Sequence, residues 1–264
     1  MPEGHTIHRL SRDLMRAFGR RPVTASTLQE RFESGAALLD GATLTRSDAH
    51  GKHLFLFFGR HRLLHIHLGL YGKFPISATP PPDPRGALRL RLANEDNWAD
   101  LRGPTACELI TPEGRDVILA RLGPDPLRTD ADPELAWARI SRSRMPIGAL
   151  LMSQDVLSGI GNVYRAEVLF RAAISPHRPG RELSHEQWTG MWDDLSVLLR
   201  SGVRAGRIVT TRPEDRPRRG RPRREDSFYV YRRTNEPCRI CGTEIRTETM
   251  AARNLFWCPT CQPE

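Results

Sequence analysis

At 264 residues the chain has room for roughly two domains of ~100–150 residues, each able to bury its own core. Its 40 Lys+Arg against 31 Asp+Glu give a formal charge of +9 and a pI near 10.0. That excess favours a polyanionic partner, because every phosphate neutralised by a side-chain cation releases condensed counterion. There is no apolar N-terminal h-region and no run of ~18 apolar residues, so neither a signal peptide nor a membrane span is expected. A cytoplasmic, nucleoid-associated location is the corresponding expectation.

The chain opens Met1-Pro2-Glu3-Gly4. Removal of Met1 before a small residue exposes the secondary amine of Pro2, which attacks aldehyde-like carbons and forms iminium ions without a lysine. Residues 6–18 read as an amphipathic helix, with Ile7, Leu10, Leu14 and Phe18 at helical spacing, Thr6 as the cap and Gly19 as the stop. The Pro2-Glu3 arm then sits near the positive end of that helix, and His5 and His8 read as exposed residues at its start. Residues 40–120 read as β structure, in short runs such as His53–Phe58, Leu63–Leu68 and Ala87–Leu92. Between the last two, Pro80-Pro81-Pro82-Asp83-Pro84 cannot donate to a ladder and marks a loop. Only Lys52 and Lys73 among the 40 basic residues are lysines, which singles them out.

Leu122-Gly123-Pro124-Asp125-Pro126-Leu127 marks a domain joint, and helices are predicted over 133–142, 146–157, 162–173 and 184–201. Gln154 to Glu167 reads as a helix, a Gly159-Ile160-Gly161 turn and a second helix capped by Asn162, whose free N–H groups favour an anion. Asn162 itself is placed to reach a phosphate. Residues 212–226 are rich in Pro and Arg and predict a mobile surface segment, after which 227–231 resumes as a strand. The expected domains are therefore 1–122, 123–227 and 228–264.

Four of the five cysteines form Cys238-x-x-Cys241 and Cys258-x-x-Cys261, while Cys107 stands alone. Two such pairs across a β-hairpin predict tetrahedral thiolate ligation of one zinc ion. With four protein ligands and no open position, its role is structural. Arg253 lies in that hairpin, within reach of a phosphate.

Taken in order, these pieces resemble the formamidopyrimidine-DNA glycosylase and endonuclease VIII family of base-excision repair. The resemblance rests on Met-Pro-Glu-Gly, Gly51-Lys52 before a strand, His67-Leu68-Gly69-Leu70-Tyr71-Gly72, the 122–127 joint, the 154–170 element and the terminal Cys261-Gln262. It implies an α+β multi-domain fold: an N-terminal helix with a two-layer β-sandwich, a helix-two-turn-helix domain and a C-terminal β-hairpin zinc finger. Damaged DNA would be the partner of a monomer. By the same resemblance Pro2 is the nucleophile, Glu3 protonates the opening sugar, and Lys52 acts at a hairpin tip as catalyst or phosphate holder. Leu70 and Tyr71 form the wedge that fills the hole left by a flipped nucleotide. Arg102 is a second residue on the groove side, and Asn162 and Arg253 contact DNA.

The Leu-Tyr pair is similar to the endonuclease VIII branch, including members of actinobacterial type, so oxidised pyrimidines and abasic sites are the expected substrates. Excision would proceed through a proline iminium and β,δ-elimination. Two alternatives stand beside this: a glycosylase directed at 8-oxoguanine or formamidopyrimidine, and a DNA-binding zinc protein without catalysis. The chain departs from the family at Thr6, where an acidic residue is frequent, and at 212–226, which replaces the lesion-capping loop.

Overall fold

The computed structural model describes residues 2–218, 220 and 222–263. Contacts divide the chain into two compact units, Met1–Arg121 and Leu122–Glu264.

In the first unit, helix α1 (Gly4–Phe18) starts earlier than its apolar spacing suggests. Glu3 is its N-cap through the backbone alone, its carbonyl accepting from the Thr6 N–H at 2.8 Å, so Thr6 lies within the first turn and is not the cap. Ile7, Leu14 and Phe18 are buried on one stripe, and the Gly19 N–H closes the last turn on the Met15 carbonyl at 3.0 Å. There follow β1 (Thr24–Ser26), α2 (Glu33–Leu39), β2 (Leu44–His50), β3 (His53–Phe58), β4 (Arg62–His67), β5 (Ile76–Ala78), β6 (Leu88–Ala93), β7 (Asn97–Arg102) and β8 (Ala106–Ile110). They form two four-stranded antiparallel sheets, ordered β2-β3-β4-β8 and β1-β6-β7-β5.

Alternation along the strands decides the core. Leu54, Leu56, Phe58, Leu64 and Ile66 of one sheet share an apolar cluster with Leu90, Leu92, Ala99 and Leu101 of the other and with α1. Each such buried side chain contributes about 1.5–3 kcal/mol relative to exposure. His53, Phe55, His65 and His67 occupy the opposite pleat of their strands, outside that cluster.

A helix within the predicted β region, α3 (Pro112–Leu119), corrects the sequence reading. Thr111 caps it by accepting from the Gly114 N–H at 3.1 Å, and Pro112 opens its first turn. None of its residues is buried, so it carries no apolar stripe to announce it. It is tied to the sheet by Arg115, which donates to Asp48 at 2.7 Å.

The second unit contains α4 (Pro133–Ile140), α5 (Ile147–Leu150), α6 (Asn162–Arg171), α7 (His185–Ala205), β9 (Arg246–Met250) and β10 (Arg253–Trp257). Its helical core gathers Ile140, Leu157, Ile160, Tyr164, Trp188, Leu195 and Leu199. The helix expected over 146–157 ends after one turn. Beyond it the Gln154 side chain replaces helical bonds, donating to the Met152 and Ile160 carbonyls and accepting from the Gly159 N–H. Helix α6 is capped by Gly161, not Asn162. Helix α7 carries a capping box between Ser184 and Gln187 and stops at Gly206, whose φ is 70°. Among the described residues, no helix is long and apolar enough to cross a membrane.

The 227–231 strand is not formed. Its N–H groups at Tyr229, Val230 and Tyr231 bond to the Glu167 carboxylate at 2.8–2.9 Å instead of to a neighbouring strand. The segment before it is also more anchored than its composition implies. Pro213–Asp215 forms a helical turn, Arg216 donates to Thr211, the Tyr229 hydroxyl donates to Asp215, and Asp226 is buried. Arg219 and Arg221 of that segment lie outside the described residues.

Candidate active site

Pro2 immediately precedes the N-cap of α1 and lines a groove of about 1170 Å³ whose walls include Thr6, Arg9, Leu70, Tyr71, Lys73 and Phe74. Glu3, beside it, is fully buried. His5 is buried as well, contrary to the exposed position expected, and burial draws its pKa down to about 4. Pro2 thus meets the groove beside a buried carboxylate and an imidazole whose pKa burial lowers.

The 68–72 loop follows β4 and forms another wall of the groove. The Gly72 N–H bonds the Leu68 carbonyl at 2.9 Å and Leu68 is buried, which pushes the loop tip outward. Leu70 is 43 % exposed and Tyr71 84 % exposed, so neither serves the core. Gly69 is required twice over: its φ is +65°, and a Cβ there would lie 1.9 Å from Thr105 Oγ1. Two large apolar side chains held in solvent on a fixed loop suit insertion into a base stack.

Lys52 sits with Gly51 at the tip of the β2–β3 hairpin, which closes on the His50–His53 pair. Gly51 takes φ 57°, the conformation demanded at the first position of a two-residue hairpin turn. Behind this tip lies a polar ladder that residue-by-residue reading missed. His53 Nδ1 and His65 Nε2 are 2.9 Å apart, and His65 Nδ1 is 3.0 Å from Glu108 Oε1. Register explains it: His65 stands opposite Glu108, and His53 opposite His67. Burial, and then repulsion from His67, His65, His50 and Lys52, draws the His53 pKa down to about 3, and that of His67 is lowered by burial, His65 and Lys52. The sequence held a signal for this cluster, since His53, His65 and His67 share one pleat of paired strands.

Arg102 is engaged internally. It donates to Asp100 at 2.7 Å and to the Arg85 carbonyl, while Asp100 accepts from the buried Arg91 at 2.6 and 3.0 Å. These two arginines hold the Asp100 carboxyl below its ordinary range although burial acts the other way.

In the second unit α6 carries three buried polar side chains, of which Asn162 and Arg165 reach the C-terminal hairpin and Glu167 the segment before it. Asn162 Nδ2 donates to the Asn254 carbonyl at 2.8 Å, Arg165 donates to the Met250 carbonyl at 3.1 Å, and Glu167 accepts from 229–231 and from the Thr210 hydroxyl. Asn162 and Arg253, distant in sequence, are thereby brought to adjoining positions. At the hairpin base, Cys238 and Cys261 sulfurs lie 3.8 Å apart and Cys241 and Cys258 sulfurs 3.5 Å apart. All four fall within 4.8 Å of one another. Tetrahedral bonds of ~2.3 Å to zinc set sulfurs about 3.8 Å apart, whereas a disulfide needs ~2.05 Å. The four cysteines fit one structural zinc ion, with no protein position left open for chemistry.

Comparison with known proteins agrees with each part. Residues 1–107 match the formamidopyrimidine-DNA glycosylase N-terminal domain, 122–213 its H2TH domain, and 235–263 the zinc finger found in FPG and IleRS. Over 99 % of its length the chain is 48 % identical to Endonuclease 8 1 of Mycobacterium tuberculosis, all of which is covered. It is 32 % identical to the formamidopyrimidine-DNA glycosylase of Symbiobacterium thermophilum, with 100 % of this chain and 90 % of that protein covered. The chain belongs to the formamidopyrimidine-DNA glycosylase and endonuclease VIII family.

Solved structures share the family fold. A complex of Lactococcus lactis Fpg with DNA containing an abasic site aligns over 99 % of this chain and 100 % of that one, with a TM-score of 0.82 at 24 % identity. A complex of the LlFpg protein with a THF-DNA and an inhibitor covers both chains fully, with a TM-score of 0.84 at 23 % identity. Family membership makes this a zinc-containing, DNA-binding glycosylase of base-excision repair. Of the residues the motifs singled out, the structure sets Pro2, Leu70 and Tyr71 on one groove, Lys52 at a hairpin tip and the four cysteines in one cluster. The motifs missed Glu167 and the His53–His65–Glu108 ladder, whose partners are set by tertiary pairing.

Proposed function

We propose that the protein is a bifunctional DNA glycosylase and abasic-site lyase that acts on oxidised bases, pyrimidines before 8-oxoguanine, through the Pro2 amine. The observation that carries this reading is the position of Pro2 on one groove with the exposed Leu70–Tyr71 tip. The tip takes the place of the extruded nucleotide while the amine meets its sugar.

Once Met1 is removed, the Pro2 nitrogen lone pair forms a bond to C1′ and the glycosidic bond breaks, its electrons leaving with the base, which takes up the proton that the nitrogen then releases. Glu3, buried beside Pro2, serves as the acid that protonates the sugar ring oxygen as the ring opens to the iminium ion. Loss of the C2′ proton then expels the 3′ phosphate, and loss of the C4′ proton expels the 5′ phosphate. Lys52 at its hairpin tip acts in these steps as a proton-transfer group or a point charge on phosphate. Asn162 and Arg253 supply phosphate contacts from the second unit, and Arg102 a contact from the groove side. The zinc holds the hairpin and takes no part in bond making. The working partner is damaged DNA, bound by a cytoplasmic monomer.

Duplexes carrying thymine glycol or 8-oxoguanine opposite cytosine test this directly. The expected products are gaps with phosphate at both ends, formed faster from thymine glycol. Ends bearing an unsaturated aldehyde would remove the second elimination, and preference for 8-oxoguanine would reverse the substrate order.

A further inference from the structure

Lys73, the second of the chain's two lysines, stands where the 68–72 loop runs on toward β5. Its N–H donates to the Arg102 carbonyl and its carbonyl accepts from the Arg102 N–H, both at 2.9 Å, so the two residues oppose one another as an antiparallel pair. Directly opposed residues of such a pair project their side chains from the same face. Phe74 is buried in the core of the first unit, which leaves the alternate direction, out of the core, to Lys73. The backbone that carries Lys73 is thus held by β7, while its side chain is exposed.

Two like charges directly opposed across a ladder are destabilising, and an anion taken between them removes that cost. The carboxylates nearby in the fold are already engaged. Asp100 accepts from Arg91 at 2.6 and 3.0 Å and from Arg102 at 2.7 Å. Arg102 turns another N–H to the Arg85 carbonyl. On the α1 wall of the groove, Asp13 is shared by Arg9 at 3.2 Å, Arg12 at 3.2 Å and Arg16 at 3.8 Å. Among the described residues no carboxylate pairs with the Lys73 ammonium.

Lys73 lines the same groove as Pro2, Leu70 and Tyr71. It follows Tyr71 by two residues, at most ~7 Å of chain. Each strand of DNA presents a phosphate about every 3.4 Å of axis. A cation this close to the tip meets the DNA backbone within about two nucleotides of the gap that the tip fills.

We infer that Lys73 is a DNA-contact residue: its ammonium, with Arg102 as the neighbouring cation, takes one backbone phosphate beside the nucleotide displaced by Leu70 and Tyr71. A phosphodiester oxygen carries no base information, so the contact sets where the duplex sits on the loop and not which lesion is excised. This inference rests on the reading of the 70–71 tip as a wedge in DNA. It gives Lys73 no part in bond making.

The test is binding of a duplex bearing one tetrahydrofuran abasic analogue, to which no amine adds, followed by fluorescence anisotropy across a series of salt concentrations. Loss of one phosphate contact lowers the slope of log affinity against log salt by about 0.9, and the affinity at 0.1 M salt by about fivefold or more. Both losses are expected in Lys73→Gln, and Lys73→Arg should retain wild-type values. A neutral methylphosphonate placed at one phosphate at a time then locates the contact. At one position within about two nucleotides of the analogue, wild-type protein should lose the same affinity and Lys73→Gln nothing further. An unchanged salt slope in Lys73→Gln overturns the inference even where binding weakens, because no counterion release has been lost. Equal sensitivity of wild type and variant at every methylphosphonate overturns it too, and a decisive phosphate farther along the duplex refutes the placement beside the wedge. Wild-type protein that binds with this salt dependence, yet forms no borohydride adduct at a true abasic site, defeats the Pro2 reading alone and leaves Lys73 standing.

Discussion

Tyr71 and Leu70 spend their apolar area in solvent on a loop fixed by Gly69 and Gly72, so their removal should barely touch the folded state. Leu70→Ala and Tyr71→Ala are expected to change unfolding stability by less than about 0.5 kcal/mol. Excision of a damaged base from duplex DNA should fall about tenfold or more, because an unfilled stack costs a few kcal/mol. Cleavage of an abasic site in single-stranded DNA should be spared. Thermal unfolding and single-turnover assays on the two substrates decide it, and an equal loss on both would mean that the loop does not act by filling a stack. Candidates of this kind stand out because their signals are local: a proline at position 2, a Gly-bounded Leu-Tyr pair and two Cys-x-x-Cys knuckles. His5 was misjudged for the opposite reason, since its burial depends on packing that α1 acquires only in the folded unit.

Helix α6 shows how much an element can carry that its sequence does not advertise. Arg165 and Glu167 are fully buried charges on a helix of ten residues, and Asn162 opens it. Together they fasten the helix to residues 229–231 and to the hairpin bearing Arg253 and the zinc. Burial raises the Glu167 pKa, and the Thr210 hydroxyl and three N–H donors oppose that. Glu167→Ala strands those four donors at roughly 1–3 kcal/mol for each one left unsatisfied, partly relieved by entering water. A net loss of about 3 kcal/mol or more is expected in denaturant unfolding, together with faster release of zinc to a chelator. Stability within 1 kcal/mol of wild type, on the order of an ordinary surface change, would contradict the anchoring role. The same contact explains the missing strand at 227–231: its β pattern was correct as local propensity, but a carboxylate some sixty residues earlier took its donors. Helix α3 escaped reading because a helix without a buried stripe leaves only its Thr111-Pro112 start as a signal.

At the scale of the molecule, a charge of +9 makes DNA affinity strongly dependent on salt, and two histidines of depressed pKa, His5 buried and His53 partly buried, make stability dependent on pH. His5 and His53 are drawn from an ordinary 6.5 to about 4 and about 3. The unfolded chain takes up these protons below pH 6.5 and the folded one does not, so stability is complete above that value and declines as pH falls toward 3. Melting temperature should therefore drop between pH 7 and pH 5, with a shallower drop in His53→Gln. An identical slope in the variant would show that His53 is not held neutral by the fold. The order of domains was legible because each has a local signature, whereas the ladder from Glu108 to His53 depends on strand register that no short motif encodes.

The central claim, that Pro2 is the nucleophile, is met most directly by borohydride trapping on an oligonucleotide with one abasic site. Protein with its native N-terminus should form a covalent adduct that maps to Pro2 by peptide mass. Pro2→Gly should lose most of it, and a blocked N-terminus all of it. Full DNA binding and zinc content without any adduct, or an adduct that maps to Lys52, would contradict the account.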